Sequence, residues 1–195
     1  MKAREIRMGK SYQAVAIAVL ALSMFLFLGA SSQKEELQKL KEELQKFQQE
    51  KKMVKEHMEV FDDLDFNVFS NQKWEDLHKS HSKNVIVHWP DGHTTKGIEK
   101  HIEDLKGMFI ATPDTRIKSH PIKIGEDDWT AVEGILEATF TKPMPMPDGK
   151  TIPPTGNKVN LAMVTLGHWN KEGVMDEEYL FWDNQTYMKQ LGLTQ

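Results

Sequence analysis

Apolar and polar positions alternate with three different periods along this chain, and each period marks a separate segment. The first is a run with no period at all. "AVAIAVLALSMFLFLGA", Ala14 to Ala30, carries no charge and follows a tail with Lys2, Arg4, Arg7 and Lys10. Basic, then apolar, then small residues is the layout of a secretory signal, with Gly29-Ala30-Ser31 as the cleavable end. The same run reaches the lower length limit of a membrane span. Residues 1–31 are therefore read as a cleaved signal or an uncleaved anchor, with the basic tail inside and the folded domain exported.

The second period is helical. Leu37, Leu40, Leu44 and Phe47 follow a heptad seam, Lys51 interrupts it, and Val54, Met58 and Phe61 resume it. Glu35–Lys39 and Glu42–Lys46 are favourable pairs four residues apart. The pattern predicts a charged helical stalk over 32–55, as a spacer or coiled coil, running unbroken into the first helix of a domain at 56–195. The competing expectation is that its stripe simply packs on that domain.

From there the period shortens to two. "NQKWEDLHKSH" still reads as a short helix capped by Ser70 or Asn71, with Trp74, Leu77 and His78 inward. "NVIVHWPDGHTTKG" reads as a strand and a turn at Asp91-Gly92. "GIEKHIEDLKGMF" returns to helix, with Ile98, Ile102, Leu105, Met108 and Phe109 on one side. Long strands follow over 116–124, 129–141, 159–169 and 174–182, linked by the turns "GEDD" and "NKEG". "KPMPMPDGKTIPPTG" is too rich in proline for regular structure and is expected as a loop, with Met144 and Met146 as a flexible lid. Helices first, then an antiparallel meander, then a short terminal helix predict an α+β domain: helices cover one face of a curved antiparallel sheet and leave a pocket between.

Composition narrows the function. A net charge of −4 argues against a nucleic-acid partner. The chain has no Cys, so thiol nucleophiles, disulfides and Cys-ligated zinc are excluded. No phosphate loop, nucleophile elbow or H-E-x-x-H appears. Some of the eight histidines could approach one another in a barrel, but none has zinc-ligand spacing. No metal and no cofactor are expected.

The candidate chemistry gathers near the end of the chain. Alternation sets Tyr179, Phe181 and Asp183 on one face of the last strand and Glu178, Leu180 and Trp182 on the other. The first face suits an aromatic-lined site. A carboxyl at Asp183 among aromatics would be desolvated and its pKa raised towards neutrality. Asp183 also directly precedes "NQTYMKQLG", where it would serve as a helix cap. His88 alternates with Ile86, and Trp89 with Val85 and Val87. His168 follows Val164 and Leu166 towards an apolar side and titrates near neutrality like any His. Glu177 and Glu178 read most simply as a solvated strand edge.

The order and spacing of these stretches resemble the SnoaL-like polyketide cyclases, also called ester cyclases, of the nuclear transport factor 2-like fold. The resemblance rests on "VHWPDG", "GIEKHIEDLKGMFIATPD", "IPPTGNKVNLAMVTLGHWNKEGVMDEEYLFWD" and "QLG". It spans nearly the whole domain and none of the amino-terminal appendage. It implies a cone-shaped barrel with a mostly apolar cavity, commonly a homodimer. It also implies an acid/base Asp at the end of the last strand, by position Asp183, and an acid at Glu178. Thr112 departs from the family's usual Phe. Export would separate this chain from polyketide synthesis, so antibiotic-ring closure is not expected. The expected activity is acid/base chemistry on a small hydrophobic carbonyl compound. Asp183, His88, His168 and Glu178 would be its catalytic groups, and Trp89, Phe109, Tyr179, Phe181 and Trp182 would contact the ligand. The alternatives are a non-catalytic small-molecule or peptide binding module and a stalk-borne structural domain.

Overall fold

The computed structural model describes residues 30–146 and 148–194. Residues 1–29 of the expected signal or anchor lie outside the described residues. Among those described, no helix is long and apolar enough to cross a membrane. Helix α1 (Ala30–Asp63) is one unbroken helix, as the heptad pattern and its continuation predict. The chain divides into two units between Glu50 and Lys51. The described part of the first, residues 30–50, is helical throughout.

The second unit holds the remaining elements. A π-helical turn over Leu64–Phe69 continues α1, and a 3-10 helix spans Trp74–Lys79. Strands β1 (His81–His88) and β2 (Thr94–Lys96) lead into helix α2 (Ile98–Ala111). Then come β3 (Arg116–Ile117), β4 (Ile122–Glu126), β5 (Trp129–Thr139), β6 (Met144–Pro145), β7 (Thr151–Ile152), β8 (Lys158–Trp169) and β9 (Met175–Trp182). Helix α3 (Asn184–Leu191) closes the chain.

Seven strands form one sheet in the order β2-β1-β9-β8-β5-β3, with β4 also on β5. The sheet is mixed, which corrects the antiparallel expectation. β1 runs parallel to β9, with Val87 opposite Glu178 and His88 opposite Tyr179. Alternation says which residues share a face but not which strand lies alongside, and only the long return of the chain sets β9 beside β1. The strand expected over 116–124 is two pieces. Pro121 lacks an N–H, and the break lets His120 turn inward. The proline-rich loop carries a two-residue ladder, Met144 opposite Ile152 and Pro145 opposite Thr151. His78 is exposed, not inward, because the 3-10 turn buries Leu77 instead. That turn also lacks the expected side-chain cap. Ser70 instead accepts a hydrogen bond from the Ile117 N–H at 2.8 Å.

Burial alternates strictly along β5 and β8. Val132, Leu136, Leu161 and Met163 face the helices, and Phe61, Leu64, Phe69, Leu105 and Phe109 cover them. Each such side chain contributes about 1.5–3 kcal/mol on burial. His57 of α1 stacks on Trp169 of β8 at 4.4 Å. β4 passes so close to α1 that a methyl group at Gly125 would sit 2.6 Å from Val54 Cγ1.

Candidate functional site

A cavity of about 40 Å³ lies between the sheet and the helices. Leu105, Leu180 and Trp182 give it apolar walls, and four titratable side chains enter it: Asp65, His81, His101 and Glu178. Each comes from a different element. His81 opens β1. Gly97, at φ 89°, permits the sharp entry into α2 that sets His101 one turn in, against the sheet. Glu178 is an inward residue of β9, opposite Gly167 of β8, which has no side chain to displace it. Asp65 belongs to the π-helical turn, whose wider winding is a common means of aiming a functional side chain.

His81 Nε2 and His101 Nε2 both lie 3.5 Å from Glu178 Oε2. All three side chains are almost wholly buried. Burial opposes a charge on Glu178, but His81 and His101 beside it outweigh that and hold its pKa below the ordinary value. Burial likewise drives the His101 pKa down to about 4, only partly offset by the charge of Glu178. His101 is neutral at physiological pH.

Asp65 behaves in the opposite way. Burial raises its pKa, and its contact with His120 offsets only part of the rise. His120 Nε2 lies 2.8 Å from Asp65 Oδ2, while its Nδ1 lies 2.7 Å from Asp62 Oδ1. Asp62 is one-third exposed and also meets Lys123 Nζ at 2.7 Å. The His120 side chain is 2% exposed. Burial lowers its pKa, but the two carboxylates outweigh burial and the net shift is upward. The result is a continuous Asp62–His120–Asp65 chain from the surface to the cavity.

Two of the side chains expected at a site, Glu178 and Trp182, line this cavity. Asp183 does not. It is exposed, and its carboxylate accepts from the N–H groups of Gln185 and Thr186 and from the Thr186 hydroxyl. These bonds hold its pKa below the ordinary value, which corrects the expectation of a desolvated carboxyl with a raised pKa. The favoured face of β9 was also the wrong one. Glu178, Leu180 and Trp182 point to the cavity, whereas Tyr179 and Phe181 share the opposite face of the sheet, where Phe181 is 49% exposed. The helices cover the other side, so Tyr179 and Phe181 do not line this cavity.

His88 is on that outer face too. It stacks on Tyr179 at 4.2 Å and meets Glu177 Oε1 at 2.9 Å. His168 bonds Asp176 at 2.6 Å, a pairing that raises its pKa. Glu177, read as a solvated edge, is in fact partnered by both His88 and the Tyr179 hydroxyl. Trp89 is buried, with its indole N–H donating to Thr95 at 2.9 Å, and flanks His101 without lining the cavity. Phe109 packs against Phe69 and Trp74 in the core.

Three cavity residues were missed: Asp65, His81 and His101. His101 had a usable signal, since it falls inside the apolar stripe Ile98-Ile102-Leu105 of its helix. His81 shares the face of Val85 and Val87 only across an irregular stretch of pairing. Asp65 had no signal, because helical periodicity does not anticipate a π turn.

A family model described as SnoaL-like polyketide cyclase matches residues 63–191. No curated protein matches the chain. Among solved structures, a protein from Jannaschia sp. CCS1 assigned as a SnoaL-like polyketide cyclase superposes with a TM-score of 0.61 at 18% identity, covering 72% of this chain and 94% of its own. IdmH from Streptomyces antibioticus, assigned as a polyketide cyclase, gives 0.59 at 18% identity, with 70% and 98% covered. An NTF2-like protein of unknown function from Burkholderia pseudomallei K96243 gives 0.56 at 13% identity, with 70% and 97% covered. At these identities the likeness shows the fold: a nuclear transport factor 2-like α+β domain.

Proposed function

The chain belongs to the SnoaL-like polyketide cyclase family, and on that premise we propose that it is an acid/base catalyst for a small carbonyl compound, working in the cavity between α2 and β9. One observation carries this reading: two carboxyl groups, the buried Glu178 and the half-buried Asp65, enter the same cavity, and Asp65 is linked to the surface through His120. Their surroundings push their pKa values apart, Asp65 up and Glu178 down. Such a pair divides the roles of proton donor and anion. Asp65, whose pKa is raised, is the group assigned to proton delivery, and the His120–Asp62 chain connects it to solvent. Glu178 stays ionised opposite.

The size of the cavity limits the substrate. Small-molecule sites usually offer about 300–1,000 Å³, far above the roughly 40 Å³ here. The cavity takes a carbonyl head group, not a fused-ring polyketide. The remaining elements of the proposal are a homodimer, joined through the outer sheet face where Val164 and Phe181 sit opposite each other and exposed, and export by residues 1–31. Sequencing the mature amino terminus separates a cleaved signal from an anchor.

The test is deuterium exchange at carbon next to the carbonyl of small ketones and 1,3-dicarbonyls, followed by NMR in D₂O. The protein accelerates exchange for at least one compound, and Asp65→Asn slows it by about 10²–10⁴-fold. Saturable binding with no exchange would instead support a binding module. Exchange unchanged in Asp65→Asn would remove Asp65 from the chemistry.

A further inference from the structure

We propose that His81, His101 and Glu178 form a binding site for one divalent transition-metal ion of the zinc type, open to the cavity. The donor set comes first. Two imidazoles and one carboxylate suit zinc and its neighbours, whereas magnesium and calcium prefer oxygen throughout. The ligand atoms of the three residues all lie within 4.8 Å of one another.

The spacing fits chelation better than hydrogen bonding. Both His Nε2–Glu178 Oε2 distances are 3.5 Å. A direct hydrogen bond would be about 2.7–3.2 Å. Two ligands on a tetrahedral ion with bonds of about 2.0–2.1 Å sit roughly 3.3–3.4 Å apart. Among the described residues, Glu178 Oε2 and His81 Nε2, the two atoms 3.5 Å apart, are buried without a hydrogen-bond partner, as are His57 Nδ1 outside the cluster and Nδ1, the other ring nitrogen, of His101. Orphaned buried polar atoms are costly and call for a missing ligand.

The hydrogen bonds behind His81 then orient it. The Ser80 hydroxyl has one proton, and it donates to the Leu77 carbonyl at 3.1 Å. With its proton on that carbonyl, the hydroxyl accepts from an Nδ1–H of His81, 2.9 Å away. In that tautomer His81 Nε2 and Glu178 Oε2 face each other as acceptors, an arrangement that a bound cation between them would satisfy. Metal-bound histidines commonly have their second nitrogen held in this manner. The supports come from three elements: His81 pairs with Met175 of β9, Glu178 lies on β9 within the sheet, and His101 sits in α2. Three protein ligands leave a coordination position open, and the cavity has room there for a water-sized group.

This inference goes beyond the acid/base reading and stands or falls apart from it, because its readout is binding. The tag-free full chain is stripped with chelator and titrated with Zn²⁺ by calorimetry, and with Co²⁺ by visible absorption. One equivalent binds, and the Co²⁺ spectrum shows a low-coordinate site. His101→Ala and Glu178→Gln each weaken binding by more than about 100-fold. Ser80→Ala, which leaves all three ligands in place, weakens it by about 10–100-fold. His88→Ala and Asp65→Asn leave it unchanged. The proposal is overturned if Zn²⁺ does not bind stoichiometrically, if Ser80→Ala and Glu178→Gln retain full affinity, or if His88→Ala is the variant that loses it.

Discussion

Asp183 and Asp65 are the same residue type under opposite conditions. Asp183 sits in solvent at the start of α3 and collects two N–H groups and a hydroxyl, all of which favour its charged form. Asp65 is half-buried with a single histidine partner, and its desolvation prevails. Among the other ionised groups, His120 has a stability consequence with a definite sign. Its folded pKa is raised above the ordinary 6.5. Its contribution is therefore fully present below that value and lost as pH climbs through the folded one. Asp65, also raised, acts in the same sense in the acid range, from 3.8 up to its folded value. Melting temperature should fall as pH rises above 6.5, and His120→Gln should flatten that slope. Equal slopes in the two proteins would mean that the Asp62–His120–Asp65 chain does not stabilise the fold.

The elements themselves were largely legible. Strands expected over 129–141, 159–169 and 174–182 are β5, β8 and β9 with ends shifted by a residue or two. Period-2 burial is a local property, so local sequence reveals it. Partnership between elements is not local. Nothing in β1 announces a parallel neighbour, and nothing in "KIGED" announces a helix pressed on its backbone. Gly125 reveals that contact. Gly125→Ala places a methyl group 2.6 Å from Val54 Cγ1 and 2.9 Å from Met58 Cε. Overpacking of this kind costs about 1–3 kcal/mol, measurable by urea denaturation. Adding Val54→Ala should recover part of the loss, because the two sites share one gap. A fully stable Gly125→Ala protein would show that α1 and β4 separate easily.

At the scale of the molecule, the sheet has one face covered by helices and one left open. Trp129, Val164 and Phe181 are 40%, 37% and 49% exposed, and the proposed homodimer would cover them. Sedimentation of the full chain in mild detergent should give a dimer, and Phe181→Lys should shift it to monomer. A dimer that survives Phe181→Lys would move the contact away from this face. The chain divides into two units between Glu50 and Lys51, a few residues before the 55/56 boundary expected from the sequence.

Glu178 shows where sequence stopped and tertiary structure took over. The sequence by itself determined that Glu178, Leu180 and Trp182 share a face, that helices and strands alternate as they do, and that the domain resembles one family. Those features follow from backbone geometry acting over a few residues. It could not say which face the helices would cover, so the aromatic face was preferred and Glu178 entered only through the family resemblance. His81, His101 and Glu178 are separated by 20 and 77 positions (101 − 81 and 178 − 101), a spacing without a motif. Packing decided their meeting. A buried charge must find compensating groups, and the fold brings those groups in from distant strands and helices.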